Sequence, residues 1–223
     1  MNILAFDTSN EYCSLALLMG DNMLEMDMLA GQGHSEMILP MIGGILADGG
    51  ISLHGLDGIA FGSGPGSFTG LRIACGVAQG LAYGARLPVV GVGTLHALAA
   101  SVHADRIVAC LDARMGEIYH AAFVRNEGRL QCVHEPGLYR PEQAPQLEGD
   151  NWTGCGSGFM ACGDALEDRY AGKLERIEAG LRPAAREMAQ LAACEFKAGR
   201  ILEAAQASPL YVRNKVALKE SER

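Results

Sequence analysis

Apolar residues fall along this chain in two rhythms, short unbroken runs and helical stripes. The run at residues 2–6 meets the polar turn Asp7-Thr8-Ser9 and predicts a buried strand. Runs at 12–19 and 23–30 flank Gly20-Asp21-Asn22, which predicts a hairpin. From 35 to 47, Ile38, Met41, Ile42, Ile45 and Leu46 keep helical spacing, with Ser35 as N-cap and Gly49-Gly50 as the stop. A strand at 56–61 leads through a glycine-rich loop into a helix at 71–83, then a strand at 87–92 and a short helix at 94–101. This order predicts an α/β sheet with an antiparallel part.

The pattern then restarts. A strand at 107–111 ends at Asp112-Ala113-Arg114, and strands at 117–124 and 129–134 flank the turn Arg125-Asn126-Glu127-Gly128. A shift of 105 positions lays Asp7 on Asp112 and residues 13–19 on 118–124. A strand, an aspartate turn and a hairpin recurring in order predict a duplicated unit. Residues 151–158 read as a strand with a glycine-rich end, 141–150 as a loop or weak helix, and 183–199 as a helix. The boundary falls near 101–106, giving units 1–103 and 104–207, with a tail at 208–223 that packs back on the first unit.

Composition narrows the class. The 223 residues are 49% hydrophobic and 20% charged, which excludes a disordered or fibrous chain. A net charge of −8 argues against nonspecific nucleic-acid binding by this chain alone. Arg213, Lys215, Lys219 and Arg223 make the tail locally basic, a feature a solvated C-terminus also shows. No apolar run approaches the roughly 18 residues of a membrane span, and the start reads as no signal peptide. Seven dispersed cysteines without a C-x-x-C pair indicate neither a disulfide framework nor a zinc ribbon and suit a reducing cytosol. No two histidines stand four apart, so no helical metal pair is expected.

Three features could carry chemistry. The loop Gly62-Ser63-Gly64-Pro65-Gly66-Ser67-Phe68-Thr69-Gly70 joins a strand to a helix, where backbone N–H groups could approach an anion. A tight turn that lets helix and sheet pack closely is the reading the residues alone favour, and no P-loop lysine follows. Asp7 and Asp112 each end the first strand of a repeat, where such aspartates face phosphate in duplicated ATPases or merely cap their own turns. Neither turn has the Asp-x-Gly glycine of those ATPases. Gly76, Gly80 and Gly84 stripe one helix at roughly 1 kcal/mol each relative to alanine, so another backbone must come close. That backbone belongs to the unit's own sheet or to a second chain. No nucleophile elbow or triad is present, which counts against a hydrolase.

The strings Ile3-Leu4-Ala5-Phe6-Asp7-Thr8-Ser9, His34-Ser35-Glu36, Gly64-Pro65-Gly66-Ser67-Phe68-Thr69-Gly70-Leu71-Arg72-Ile73, Asp112-Ala113-Arg114-Met115-Gly116-Glu117-Ile118-Tyr119 and Pro209-Leu210-Tyr211-Val212-Arg213 together resemble the bacterial TsaB (YeaZ) family. The resemblance spans nearly the whole chain. It implies two similar actin-like, sugar-kinase-like domains of the ribonuclease H-like (ASKHA) class, each a mixed sheet with flanking helices. It implies a cytoplasmic, non-catalytic, dimerising and activating subunit of the complex that places threonylcarbamoyl on N6 of adenosine 37 in tRNAs reading codons that begin with A. The implied partners are the TsaD paralogue, where catalysis is expected, and the TsaE ATPase, with a homodimer in TsaD's absence and tRNA reached only through the complex. ATP and a metal ion are expected at those partners and no cofactor on this chain.

A degenerate nucleotide site would comprise Asp7, Thr8, Ser9, Gly64 and Gly66. The partner interface would comprise Ile38, Met41, Ile42, Ile45, Arg72, Gly76, Gly80 and Tyr83. The rival reading is an active ATPase or kinase of the same fold acting on a small molecule.

Overall fold

The computed structural model describes residues 1–213. The basic positions Lys215, Lys219 and Arg223, and the rest of the tail, lie outside the described residues. The first repeat runs β1 (Asn2–Asp7), β2 (Tyr12–Met19), β3 (Asn22–Leu29), α1 (His34–Asp48), β4 (Gly58–Gly64), α2 (Phe68–Ala85), β5 (Val89–Gly93) and α3 (Thr94–Ala100). The second runs β6 (Arg106–Asp112), β7 (Ile118–Asn126), β8 (Arg129–Tyr139), β9 (Trp152–Cys155), α4 (Ser157–Ala161), α5 (Gly163–Arg169), β10 (Leu174–Glu178) and α6 (Ala185–Lys197).

Each repeat builds a five-stranded mixed sheet, ordered β3-β2-β1-β4-β5 in one and β8-β7-β6-β9-β10 in the other. In both, the first strand pairs antiparallel with the second and parallel with the fourth. The duplication read from the shifted pattern is therefore a duplication of topology. β1 is an unbroken apolar run because both its faces are covered. Leu4 and Phe6 point to α1 and α2, while Ile3 and Ala5 point to α6.

Local details depart from the sequence pattern in three places. The α1 helix begins one residue before Ser35, with Gly33 at the N-cap and no side-chain cap. A tight turn sets that start, in which the Gly33 amide donates to the Ala30 carbonyl at 2.8 Å. The β8 strand continues past the expected end at His134 to Tyr139. The elements α5 and β10 carry too few apolar residues to announce themselves. Leu166 of α5 is fully buried with Trp152 and Tyr170.

The larger departure is the placement of the two third helices. Residues 183–199 were expected in the second unit, yet α6 lies on the first sheet, where Met188, Ala189 and Ala192 pack with Ile3, Ala5 and Ala60. Its N-terminus is capped from the same sheet, by the buried Ser14 hydroxyl accepting from the Ala185 amide at 2.9 Å. Reciprocally, α3 of the first repeat packs Leu95, Leu98 and Ala99 on Ile107, Ala109 and Phe123 of the second sheet. A boundary at 103/104 leaves α1 and α2 with the first sheet and α4 and α5 with the second, while α3 and α6 cross it.

The second repeat buries one imidazole. His120 is fully buried, and its Nε2 lies 3.0 Å from the Tyr170 hydroxyl, which also donates to the Pro145 carbonyl at 3.2 Å. Burial, with the neighbouring His134 adding to it, pushes the His120 pKa down to about 3.

Candidate functional site

The Asp7-Thr8-Ser9 turn sits where β1 ends, and the glycine-rich loop closes over it. Asp7 and Thr8 are 0% exposed and Ser9 5%. Asp7 Oδ2 accepts from the Ser9 hydroxyl at 2.8 Å and from Asn10 Nδ2 at 3.0 Å, while Oδ1 has no partner. Burial raises the Asp7 pKa to about 6, against the Ser9 hydrogen bonds and the Arg182 charge, which hold it down.

The glycines exist to admit this turn. A Cβ on Gly62 would stand 1.9 Å from Asp7 Oδ1, and one on Gly70 would stand 1.8 Å from the Thr8 carbonyl oxygen. A Cβ on Gly66 would meet Ser9 at 2.7 Å. Hydrogen bonds complete the closure, with Thr8 Oγ1 donating to the Gly70 carbonyl at 2.7 Å and the Ser67 amide to the Ser9 carbonyl at 2.8 Å. Gly64 is buried, and a Cβ there would lie 2.9 Å from the Leu210 carbonyl of the C-terminal segment.

The turn and the loop expected to form a nucleotide site pack on each other. Asp7, Thr8, Ser9 and Gly64 are buried against the chain itself, and Gly66 is held on Ser9. Among the described residues, no group of three or more His, Cys, Asp or Glu side chains comes together to hold a metal.

Asp112 serves its own turn. Its Oδ1 accepts from the Arg114 amide at 2.7 Å and its Oδ2 pairs with Arg114 Nη1 at 3.0 Å. Residues Arg114, Met115 and Gly116 all take positive φ, which makes this turn unlike the first.

The helices α1 and α2 lie side by side on the outer face of the first sheet. Ile38, Met41, Ile42 and Ile45 are at most 5% exposed and belong to the core beneath α1. They are corrected from partner contacts to core residues, because the stripe that gives α1 its helical period is the stripe it buries. The opposite stripe presents Leu39, which is 53% exposed, and Gly43.

On α2, Leu71, Ala74, Cys75, Ala78 and Ala82 face inward, while Arg72, Gly76, Gly80 and Tyr83 are exposed. A Cβ on Gly76, Gly80 or Gly84 would meet nothing within 4 Å. Nothing among the described residues requires those glycines, so packing on the unit's own sheet does not account for the stripe. A patch of small and apolar surface remains, with Leu39 and Gly43 on one helix and Gly76, Gly80 and the 79%-exposed Tyr83 on the other.

A C-terminal strap borders this patch, a feature without periodicity and so without a signal in the sequence pattern. The Leu210 amide donates to the Ser63 carbonyl at 2.7 Å. Arg72 Nε donates to the Tyr211 hydroxyl at 3.1 Å, and the Arg72 guanidinium lies 3.8 Å over the Phe68 ring. The strap ends on the second repeat, where Arg213 binds the Ala113 carbonyl at 3.0 Å and the Glu117 carboxylate at 2.5 Å. Leu210 and Tyr211 thus lie on the first repeat, while Arg213 is held by the second.

Known proteins share this architecture. The family model described as TsaD, tRNA N6-adenosine threonylcarbamoyltransferase, matches residues 28–158. The tRNA threonylcarbamoyladenosine biosynthesis protein TsaB of Escherichia coli (strain K12) is 39% identical, covering 99% of this chain and 98% of its own. The protein of the same description from Haemophilus influenzae is 38% identical, over 99% of this chain and 97% of its own. The solved structure of YeaZ from Pseudomonas aeruginosa is 35% identical with a TM-score of 0.87, covering 94% of this chain and 99% of that one. With relatives of this identity over nearly its full length, two similar mixed-sheet repeats and the glycine loop closed on the Asp7 turn, the chain belongs to the TsaB (YeaZ) family.

Proposed function

We propose that this chain is a non-catalytic, dimerising and activating subunit in the synthesis of threonylcarbamoyladenosine at position 37 of tRNA. Its relatives from Escherichia coli and Haemophilus influenzae are described as biosynthesis proteins of that modification. The observation that carries the subunit role is the outward glycine stripe of α2, where Gly76 and Gly80 face open space among the described residues. A helix that accepts the cost of glycine on an exposed face gains from it only when another backbone approaches.

The partner in this reading is the TsaD paralogue, bound through the α1 and α2 surface, with a homodimer forming on the same surface in its absence. The TsaE ATPase joins the assembly, and tRNA is reached only through it. ATP and a metal ion act at those partners. The contact works by population shift, holding the catalytic subunit in its competent arrangement. The buried Asp7-Thr8-Ser9 turn disfavours the rival ATPase reading. A cytoplasmic site of action suits the substrate, and among the described residues no helix is long and apolar enough to cross a membrane.

The test is threonylcarbamoyl transfer to unmodified tRNA in a reconstituted mixture, omitting one protein at a time. Omission of this chain abolishes transfer, and the chain alone neither transfers nor hydrolyses ATP. Undiminished transfer without it overturns the reading.

A further inference from the structure

The C-terminal strap touches the α2 stripe at one end and the aspartate turn of the second repeat at the other. It is anchored first in the core, where Ala207 is buried and its carbonyl accepts from Gln79 Nε2 of α2 at 2.9 Å. It then runs onto the end of β4, with the Leu210 amide on the Ser63 carbonyl at 2.7 Å. Gly64 permits this approach, since a Cβ there would stand 2.9 Å from the Leu210 carbonyl oxygen. Tyr211 follows. Its hydroxyl accepts from Arg72 Nε at 3.1 Å, and its ring centroid lies 5.4 Å from that of Phe68. Phe68 in turn carries the Arg72 guanidinium 3.8 Å over its face. Arg72 belongs to the exposed stripe of α2 that continues through Gly76 and Gly80. Among the described residues only these neutral groups hold it, so its charge is uncompensated and its Nη donors are free.

Two residues after Tyr211, the largely buried side chain of Arg213 reaches the second repeat. Its Nη2 donates to the Ala113 carbonyl at 3.0 Å and to the Glu117 carboxylate at 2.5 Å, and its Nη1 lies 3.5 Å from Met115 Sδ. One guanidinium thus clasps both sides of the turn between β6 and β7. That turn needs holding. Arg114 and Met115 stand at φ of 63° and 58°, in the left-handed region that L side chains adopt rarely and at a cost. Such conformations persist where their surroundings over-determine them. The turn's own bonds run from the Arg114 amide to Asp112 Oδ1 at 2.7 Å and from the Glu117 amide to the Arg114 carbonyl at 3.1 Å. Arg213 adds a hold from outside it.

We propose that the strap is a latch that couples the Arg72 end of α2 to the turn between β6 and β7. Whatever steadies the Arg72 guanidinium steadies Tyr211, and the position of Tyr211 sets the reach of Arg213. The link to a partner rests on the subunit reading above. A TsaD surface that lays a carboxylate on the free Nη donors of Arg72 leaves Nε on Tyr211. It also removes water from the Arg72, Phe68 and Tyr211 contacts, which strengthens them. Docking on the first repeat then tightens the turn of the second. By linkage, loosening the strap weakens docking by the same factor.

The experiment is amide hydrogen exchange, read by mass spectrometry on peptides covering residues 112–118 of the full chain, alone and with TsaD. In the chain alone, Arg213→Gln speeds exchange of the turn about tenfold. Arg72→Gln and Tyr211→Phe remove groups that make no hydrogen bond to the turn, yet each speeds its exchange about threefold and leaves exchange of β1 unchanged. If Arg213→Gln fails to fold, the other two decide. Turn exchange unchanged in either of those two overturns the latch. TsaD slows exchange of the turn in the parent and not in Tyr211→Phe. Bound TsaD that leaves the turn unchanged, or slows it equally in Tyr211→Phe, overturns the link to docking. If TsaD does not bind the parent, the subunit reading falls, and the single-chain variants still decide the latch.

Discussion

The Thr8 hydroxyl donates to the Gly70 carbonyl oxygen at 2.7 Å, and the Thr8 carbonyl in turn lies where a Gly70 Cβ would stand, 1.8 Å away. The first turn of α2 and the end of β1 are thereby locked together. Gly70→Ala forces two backbones apart and is expected to cost about 3 kcal/mol, the upper range for overpacking. Thr8→Val loses the hydrogen bond and leaves the carbonyl less satisfied, costing about 1–2 kcal/mol. Urea unfolding of both variants checks the order. A Gly70→Ala chain as stable as the parent contradicts the close approach.

Gly80→Leu separates folding from association. The position is exposed and a Cβ meets nothing within 4 Å, so the chain itself tolerates the change. Leucine is a better helix former than glycine by about 0.8 kcal/mol, and the variant is expected to unfold at slightly higher urea. Its co-elution with TsaD, and its self-association measured by sedimentation, are expected to fall at least about tenfold. A variant that associates normally removes α2 from the interface, and one that fails to fold returns the glycine to internal packing.

Asp7 sets a pH dependence with a definite sign. Burial raises its pKa from 3.8 to about 6, so the folded chain binds its proton more tightly than the unfolded chain does. The stability from protonated Asp7 is fully present below pH 3.8 and is lost as pH rises through about 6. Asp7→Asn removes that loss. Relative to the parent, its stability is expected to improve by on the order of 2 kcal/mol between pH 4 and pH 7, whatever its absolute level. Urea unfolding at four pH values reads the difference, and a flat difference refutes the assignment.

His120 works in the opposite direction. Its folded pKa is pushed down to about 3 from 6.5, so its contribution is present above pH 6.5 and is lost as pH falls toward 3. The ring resonances of His120 are expected to stay in the neutral form from pH 8 to about pH 4.5. His120→Gln flattens the acid limb of the stability curve. Titration of His120 near pH 6 places the ring in contact with water.

Much of the fold was legible because buried strands and amphipathic helices write their period into the sequence. Ile3 to Phe6, and the spacing from Ile38 to Ile45, each gave their element correctly. The same periodicity misled at the interface. Ile38, Met41, Ile42 and Ile45 were the most conspicuous apolar residues of α1, and they are conspicuous because they are core. The surface that remains exposed, Leu39 and Gly43, is the quieter stripe on the other side.

Gly62, Gly66 and Gly70 could be read as a phosphate cradle or a tight packing turn, and only the position of the Asp7 turn decides. The C-terminal strap rests on single contacts from Leu210, Tyr211 and Arg213, which leave no period to read.

The crossed placement of α3 and α6 ties the two repeats together. A lone repeat would carry a last helix that belongs on a sheet it does not possess, while one face of its own sheet stood bare. Each sheet is completed only by the helix that the other repeat supplies. The two halves are mutually dependent, and a fragment carrying either one alone specifies a sheet whose cover lies in the other.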